Sequence, residues 1–336
     1  MAKTFTETLT SPDMVGKVRD VNGAITMLDR KDTPFVNKVG NGPKAKAVFT
    51  EKMQEDLPTY DEDQNTTQGQ EAVPTPHNQH RFTGNYQHIF EDTVSTSLTA
   101  EKVDQYGVPT NKRAAKAIRL KTRAMKLACA RRAMGNYGSQ DPDANAGVGK
   151  MGGYLAIVTS EGTGRVSRGD TGADGGYDPL TKLISPYTPG TARSLTEDIF
   201  LDTVREIGRD RTLTDYDAFM NVDAKTTISR TFDGKVQLTQ EVGSPKSSGK
   251  GIALQGTVGM METDQGVVML HYDHSAPSDA ILIADTELWE MQDLYGWTTI
   301  DLGRKGLSKE KQIGKSTTLS SKDYKGSGAI VDLSFA

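Results

Sequence analysis

Residues 111–134 read NKRAAKAIRLKTRAMKLACARRAM. The stretch has no Gly or Pro after its first residue and is built from Ala, Leu, Lys, Arg and Met, the strongest helix formers. Ala117, Leu120, Ala124, Leu127 and Ala128 recur at helical spacing, with Ile118 and Met125 alongside, which predicts one narrow apolar stripe. Asn111 suits the N-cap and Gly135 the end. At ~1.5 Å per residue the helix spans about 36 Å, long enough to be the backbone of a domain. It carries nine bases and no acid: Lys112, Arg113, Lys116, Arg119, Lys121, Arg123, Lys126, Arg131 and Arg132.

Those bases segregate the charge. The whole chain of 336 residues carries −4, so with +9 on the helix the remainder carries −13. Upstream the balance reverses: Glu51, Glu55, Asp56, Asp61, Glu62, Asp63 and Glu71 stand against Lys52 alone, −6 over residues 51–71. A basic run means a solvated face or an anionic partner. The helix lacks aromatics to stack bases, which argues against single-strand readout. An acidic protein surface, duplex phosphates and solvent remain open. In an oligomer the acidic and basic blocks can meet across subunits.

Outward from the helix, residues 1–22 are polar and weakly patterned and read as an arm. Residues 24–39 suggest a short helical turn stopped before Pro34. Residues 44–57 and 80–97 are β-prone and flank a polar tip rich in Gln, Asn, Thr and Pro, an extended hairpin with little core of its own. After the helix, residues 135–190 hold 13 glycines and four prolines and read mostly as loop, with a strand at Tyr154–Thr159. Residues 194–209 predict a helix capped by Ser194 with Glu197 three residues on. Strands are expected at 216–222, 280–284, 317–320 and 329–335, a short helix at 223–232, and a hairpin of 252–262 with 266–273 around Asp264–Gly266. Residues 288–302 give a mixed signal.

The chemical motifs are weak. Residues 147–152 fit G-x-G-x-x-G but follow a helix rather than a strand. Gly314-Lys315-Ser316 resembles the end of a phosphate loop, yet Lys309 stands where its first glycine belongs. His271, Asp273 and His274, or His77 with His80, offer metal-ligand atoms without a third group. Cys129, the only cysteine, excludes an internal disulfide framework. No nucleophile, base and oxyanion donor assemble, so the expectation is no enzyme, no cofactor, no metal and no catalytic residue. No uncharged apolar run exceeds five residues, against the ~20 a membrane helix needs, and the N-terminus lacks the apolar core of a signal peptide.

The order of arm, long polar hairpin, long helix, glycine-rich connection and α+β part resembles the HK97-type major capsid protein. Several stretches are similar to the SU10-like major head protein family of tailed bacteriophages: DTPFVNKVG at 32–40, GNYQHIFEDTVSTSLTA at 84–100, the helix at 111–134, SLTEDIFLDTVREI at 194–207, FMNVDAKTTISRTF at 219–232, and residues 279–319. The resemblance implies an α+β HK97-like capsid fold: an N-arm (1–43), an extended β-hairpin E-loop (44–97), a P domain with a long spine helix (98–192 and 291–336), and an A domain (193–290). It implies a structural protein that self-assembles into hexamers and pentamers of an icosahedral head around phage double-stranded DNA. Assembly would occur in the bacterial host cytoplasm and the product would be the virion. Separate scaffolding, portal and decoration proteins would be its other partners, with non-specific DNA contact and no membrane. The acids of 51–71 become E-loop candidates for contact with the next subunit, and the nine bases become spine-helix candidates for that E-loop or for DNA. An encapsulin-like nanocompartment shell, or a DNA-binding protein using the basic helix, are the rival readings.

Overall fold

The structure is a computed structural model that describes residues 33–55, 69, 71, 80–102, 113–159, 165–209, 215–231 and 259–335. In chain order the elements are α1 (Pro34–Val39), β1 (Phe49–Glu55), β2 (His80–Tyr86), β3 (His88–Ser97), α2 (Leu98–Lys102), α3 (Arg113–Met134) and α4 (Tyr154–Val158). Three short strands follow, β4 (Val166–Ser167), β5 (Gly176–Asp178) and β6 (Leu183–Ser185). The rest are α5 (Glu197–Arg209), β7 (Tyr216–Met220), α6 (Val222–Thr231), β8 (Met260–Thr263), β9 (Gly266–Tyr272), β10 (Ile281–Ala284), β11 (Trp289–Lys305), β12 (Ser308–Ser321) and β13 (Gly328–Ile330).

Two sheets organise the chain. One is six-stranded, in the order β4-β13-β10-β7-β9-β8. Its strands divide their residues between two cores, as alternation dictates. Ala218, Met220, Ile281, Ile283 and Ile330 join Phe200, Val204 and Ile207 of α5 and Ile228 of α6. Phe219, Leu282, Ala284, Ala329 and Val331 face the other way, onto Phe35, Tyr154 and Trp289. The second sheet, β11-β12-β3, is antiparallel, and α3 packs along β3 and β12. Met125, Cys129, Ala130 and Ala133 of α3 share one cluster with Phe90, Val94 and Ile313.

Several expectations are corrected. The first helix begins on Pro34 instead of stopping before it, because a proline at the first position sacrifices no bonded N–H. Tyr154–Val158 is a helix, not a strand. All five of its residues are buried, and a short run that is apolar all round carries no period to separate the two. α5 is capped by Thr196, whose Oγ1 accepts from Ile199 N at 3.4 Å, not by Ser194. Beside Ser194 the chain is still extended, since Arg193 bridges Leu333 in parallel. The mixed stretch at 288–302 is most of the 17-residue β11. The β-prone run at 80–97 is two strands: β2 pairs with β1, whereas β3 leaves the hairpin to pair with β12. The apolar stripe of the long helix is also rotated. Met125 and Cys129 lead the core side, Leu120 and Leu127 are half-buried, and Ala124 and Ala128 are exposed. Both stripes have helical period, and the sulfur-bearing one is the one that meets β3 and β12.

Candidate inter-subunit surface

β1 and β2 form an antiparallel ladder that pairs Met53 with Phe82, Glu51 with Gly84 and Glu55 with His80. Its two faces differ in kind. Lys52, Gln54, Thr83 and Asn85 turn toward the body, where Lys52 Nζ lies 2.9 Å from the buried Glu290 carboxylate. Gln54 Nε2 donates to Thr83 Oγ1 at 3.4 Å. Asn85 Nδ2 donates to Leu319 O at 2.8 Å and Gly152 O at 3.0 Å, and its Oδ1 accepts from Gly152 N at 2.8 Å. The opposite face shows Glu51, Met53, Glu55 and Phe82 to solvent, with Met53 61% and Phe82 40% exposed. Tyr177 OH donates to Glu51 Oε1 at 2.8 Å and tethers the base of that face. Glu71 is exposed, and Asp56, Asp61, Glu62 and Asp63 lie outside the described residues.

The nine bases of the helix do not act alike. Lys121 Nζ is 2.7 Å from Asp92 Oδ1 and 2.6 Å from Thr93 O, and its hydrogen bond holds the Asp92 carboxyl below its ordinary pKa. Arg132 donates to Met151 O at 2.9 Å and Gly138 O at 2.7 Å and covers the Tyr137 ring, and burial lowers its pKa. Those two serve their own chain. Arg119, Lys126 and Arg131 are exposed, and Lys116 and Arg123 are half-buried. Lys112 and the Arg113 side chain lie outside the described residues. Half-buried Leu120 and Leu127 sit among the outward bases, as apolar groups do beneath Lys and Arg stems.

The chemical candidates resolve into structural contacts. His271 Nε2 lies 2.6 Å from Asp217 Oδ1, which also takes Lys38 Nζ at 3.1 Å. Asp273 accepts from Phe35 N at 3.1 Å and Ser275 N at 2.8 Å, standing in for the side-chain cap that α1 lacks. His274 Nδ1 is 3.2 Å from Tyr272 OH, and His77 lies outside the described residues. Among the described residues no three His, Cys, Asp or Glu side chains converge as a metal site. Gly314-Lys315-Ser316 is mid-strand in β12, with Lys315 paired to Asp293 at 3.0 Å. In the G-x-G-x-x-G stretch Gly147 serves a turn at positive φ in open space, whereas Gly149 and Gly152 serve packing, since a Cβ on either would stand 2.7 Å from Gln87 O or the Ile184 side chain.

The family model of the SU10 major capsid protein matches residues 2–334. The chain belongs to that family. This capsid protein has the HK97-like fold of solved shells. It is similar to the capsid of the native GTA particle, at 11% identity and TM-score 0.59, covering 99% of this chain and 100% of that one. It is similar to the Cyanophage A-1(L) capsid, at 9% identity and TM-score 0.61, covering 96% and 98%. Mycobacterium phage Bobi gives 9% identity and TM-score 0.57, covering 98% and 100%. No curated protein sequence matches. The capsid protein is thus a self-associating, shell-forming head subunit of the virion. What sequence reasoning missed in its surface is the body side of the hairpin, because Lys52 and Asn85 gain their partners from segments distant in the chain.

Proposed function

We propose that this capsid protein forms hexamers and pentamers that close an icosahedral head around double-stranded DNA, and that the acidic hairpin of each subunit lies along the basic side of its neighbour's α3. In this reading residues 1–43 are the N-arm and 44–97 the E-loop. Residues 98–192 and 291–336 form the P domain, and 193–290 the A domain. Scaffolding, portal and decoration proteins are separate chains, and bases that the hairpin leaves uncovered meet packaged phosphates without sequence preference.

The observation that supports the contact is complementarity of two exposed faces. The hairpin presents Met53 and Phe82 between Glu51 and Glu55. The outward side of α3 presents Leu120 and Leu127 among Arg119, Lys126 and Arg131. Exposed ion pairs contribute only ~0–1 kcal/mol each, so charge sets register and partner choice while the apolar centres supply area. The test is charge reversal. Asp61, Glu62 and Asp63 changed together to Lys should reduce shell yield, and Arg119→Glu with Lys126→Glu and Arg131→Glu in the same chain should partly restore it. If the acidic triple reversal assembles normally at both low and high salt, the hairpin's charge is solvated and the helix belongs to the DNA.

A further inference from the structure

Among the described residues β11 is an edge strand, and its outer edge is paired only at the start. Gly42 N donates to Met291 O at 2.8 Å and Ala45 N to Asp293 O at 3.0 Å. From Leu294 to Lys305, no strand among the described residues pairs with that edge. The register with β12 shifts between Tyr295 and Thr298 and again between Asp301 and Gly303, but runs unbroken over Thr298–Asp301. There the outward N–H and C=O groups stay in line for another strand. The β11–β12 hairpin, which has an irregular register at Gly303 and turns at Gly306, both at positive φ, presents apolar side chains beside this run: Ile300 is 55% exposed and Leu307 74%. A long open edge carrying apolar side chains invites pairing unless something covers it.

The sequence contains a matching strand. Within the N-terminal arm, residues 4–10 read TFTETLT and alternate without a break. In an extended chain Phe5, Glu7 and Leu9 share one side and four threonines the other, and Thr and Phe favour strands. The 22 residues between Thr10 and Thr33 reach about 25 Å as a flexible chain and at most about 75 Å extended. That is enough to leave the parent body. The edge lies on a stretch whose residues 298–304 are all exposed, in a subunit that self-associates, so a neighbouring copy can bring an arm to it.

We propose that Thr4–Thr10 of a second copy adds as a strand to the free edge of β11 at Thr298–Asp301. Backbone hydrogen bonds supply the affinity, as in other strand additions. The favoured pairing sets Phe5 and Leu9 on the side of Ile300, removing apolar surface from water. It leaves arm threonines on the side of Thr299, a favourable cross-strand match.

Disulfide trapping in assembled shells tests this. Full-length chains with single cysteines scanned over positions 4–10 are mixed with Thr299→Cys chains, assembled, oxidised and separated under denaturing conditions. The native Cys129 is buried and stays in place. The expected result is covalent dimer at least about fivefold above a mixture using Leu180→Cys, an exposed site on a different segment. Dimer no higher than that control overturns the inference. So does a chain carrying both cysteines that closes on itself when diluted into wild-type subunits. A second reading is hydrogen exchange. Thr6→Pro with Thr8→Pro removes two arm N–H groups and should speed exchange at residues 298–301 in shells, and unchanged exchange also overturns the proposal.

Discussion

Asn85 sits where the acidic hairpin meets the body, and its amide satisfies Leu319 O, Gly152 O and Gly152 N at once. Asn85→Ala leaves those buried groups unpaired, at ~1–3 kcal/mol for each unmet group. We expect a loss of roughly 2–4 kcal/mol in urea unfolding of the isolated subunit, and a loss under 1 kcal/mol would show that water replaces the amide. Next to it, His88 packs on Phe90, its ring 4.3 Å from the phenyl centroid. Burial, then the charges of Arg132 and Lys150, hold the His88 pKa at about 4 against an ordinary 6.5. The unfolded chain therefore binds a proton at this position between pH 6.5 and 4 that the folded chain refuses. Stability should fall as pH drops through that window and level off below it, and His88→Leu should reduce the slope. An unchanged slope would mean His88 protonates in the folded chain. The Cys129 thiol is pushed up to about 11 by burial, so it should resist alkylation at neutral pH until the subunit unfolds. Neither Asn85 nor His88 stood out in the sequence, since each owes its character to neighbours dozens or hundreds of positions away.

The elements that were legible are those whose period or composition is uncompromised. The long helix, with good formers throughout, runs from Arg113 to Met134 against an expected 111–134. β7 and β10 were legible as compact strand-forming runs, and both are fully buried. α5 was legible as a helix but not at its start. Ser194 matched the capping-box spacing, yet the chain beside it is held extended: Arg193 N donates to Asp332 O at 2.8 Å and Ser334 N to Arg193 O at 2.8 Å. Long-range pairing therefore overrides the local signal, and Thr196 takes the cap. Thr196→Ala should cost about 0.5–1.5 kcal/mol. Ser194→Ala, at an exposed position, should cost less than ~0.5 kcal/mol. Thermal melts of the two variants separate these assignments, and the reverse order would restore Ser194. β11 failed to read as a strand because its ladder is irregular: three register shifts interrupt the alternation that a sequence pattern depends on.

At the scale of the molecule, the candidate surface was half legible. Charge segregation marked the hairpin and the helix, but which bases are already engaged is a tertiary fact, settled for Lys121 by Asp92 and for Arg132 by backbone carbonyls. The proposed A domain also shares its sheet with more of the chain than 193–290: β13 pairs with β10, and β4 pairs with β13 beyond it at the same edge. β7, β10 and β13 each send alternate residues into both cores. Neither core can lose its side of those strands without exposing the other. α1 ties β7 to α4 through Phe35, which meets Tyr154 and Phe219 edge-to-face at 5.8 and 5.2 Å. Unfolding of the free subunit should then be one transition rather than separate P- and A-domain melts, despite a length at which domains often uncouple. Leu319→Ala in one core and Ile330→Ala in the other should each cost ~2–5 kcal/mol and shift the same transition. Trp289 fluorescence reports the first core, and far-ultraviolet dichroism sees both. If Ile330→Ala splits the dichroism melt while the Trp289 melt stays in place, the shared sheet does not couple the two cores.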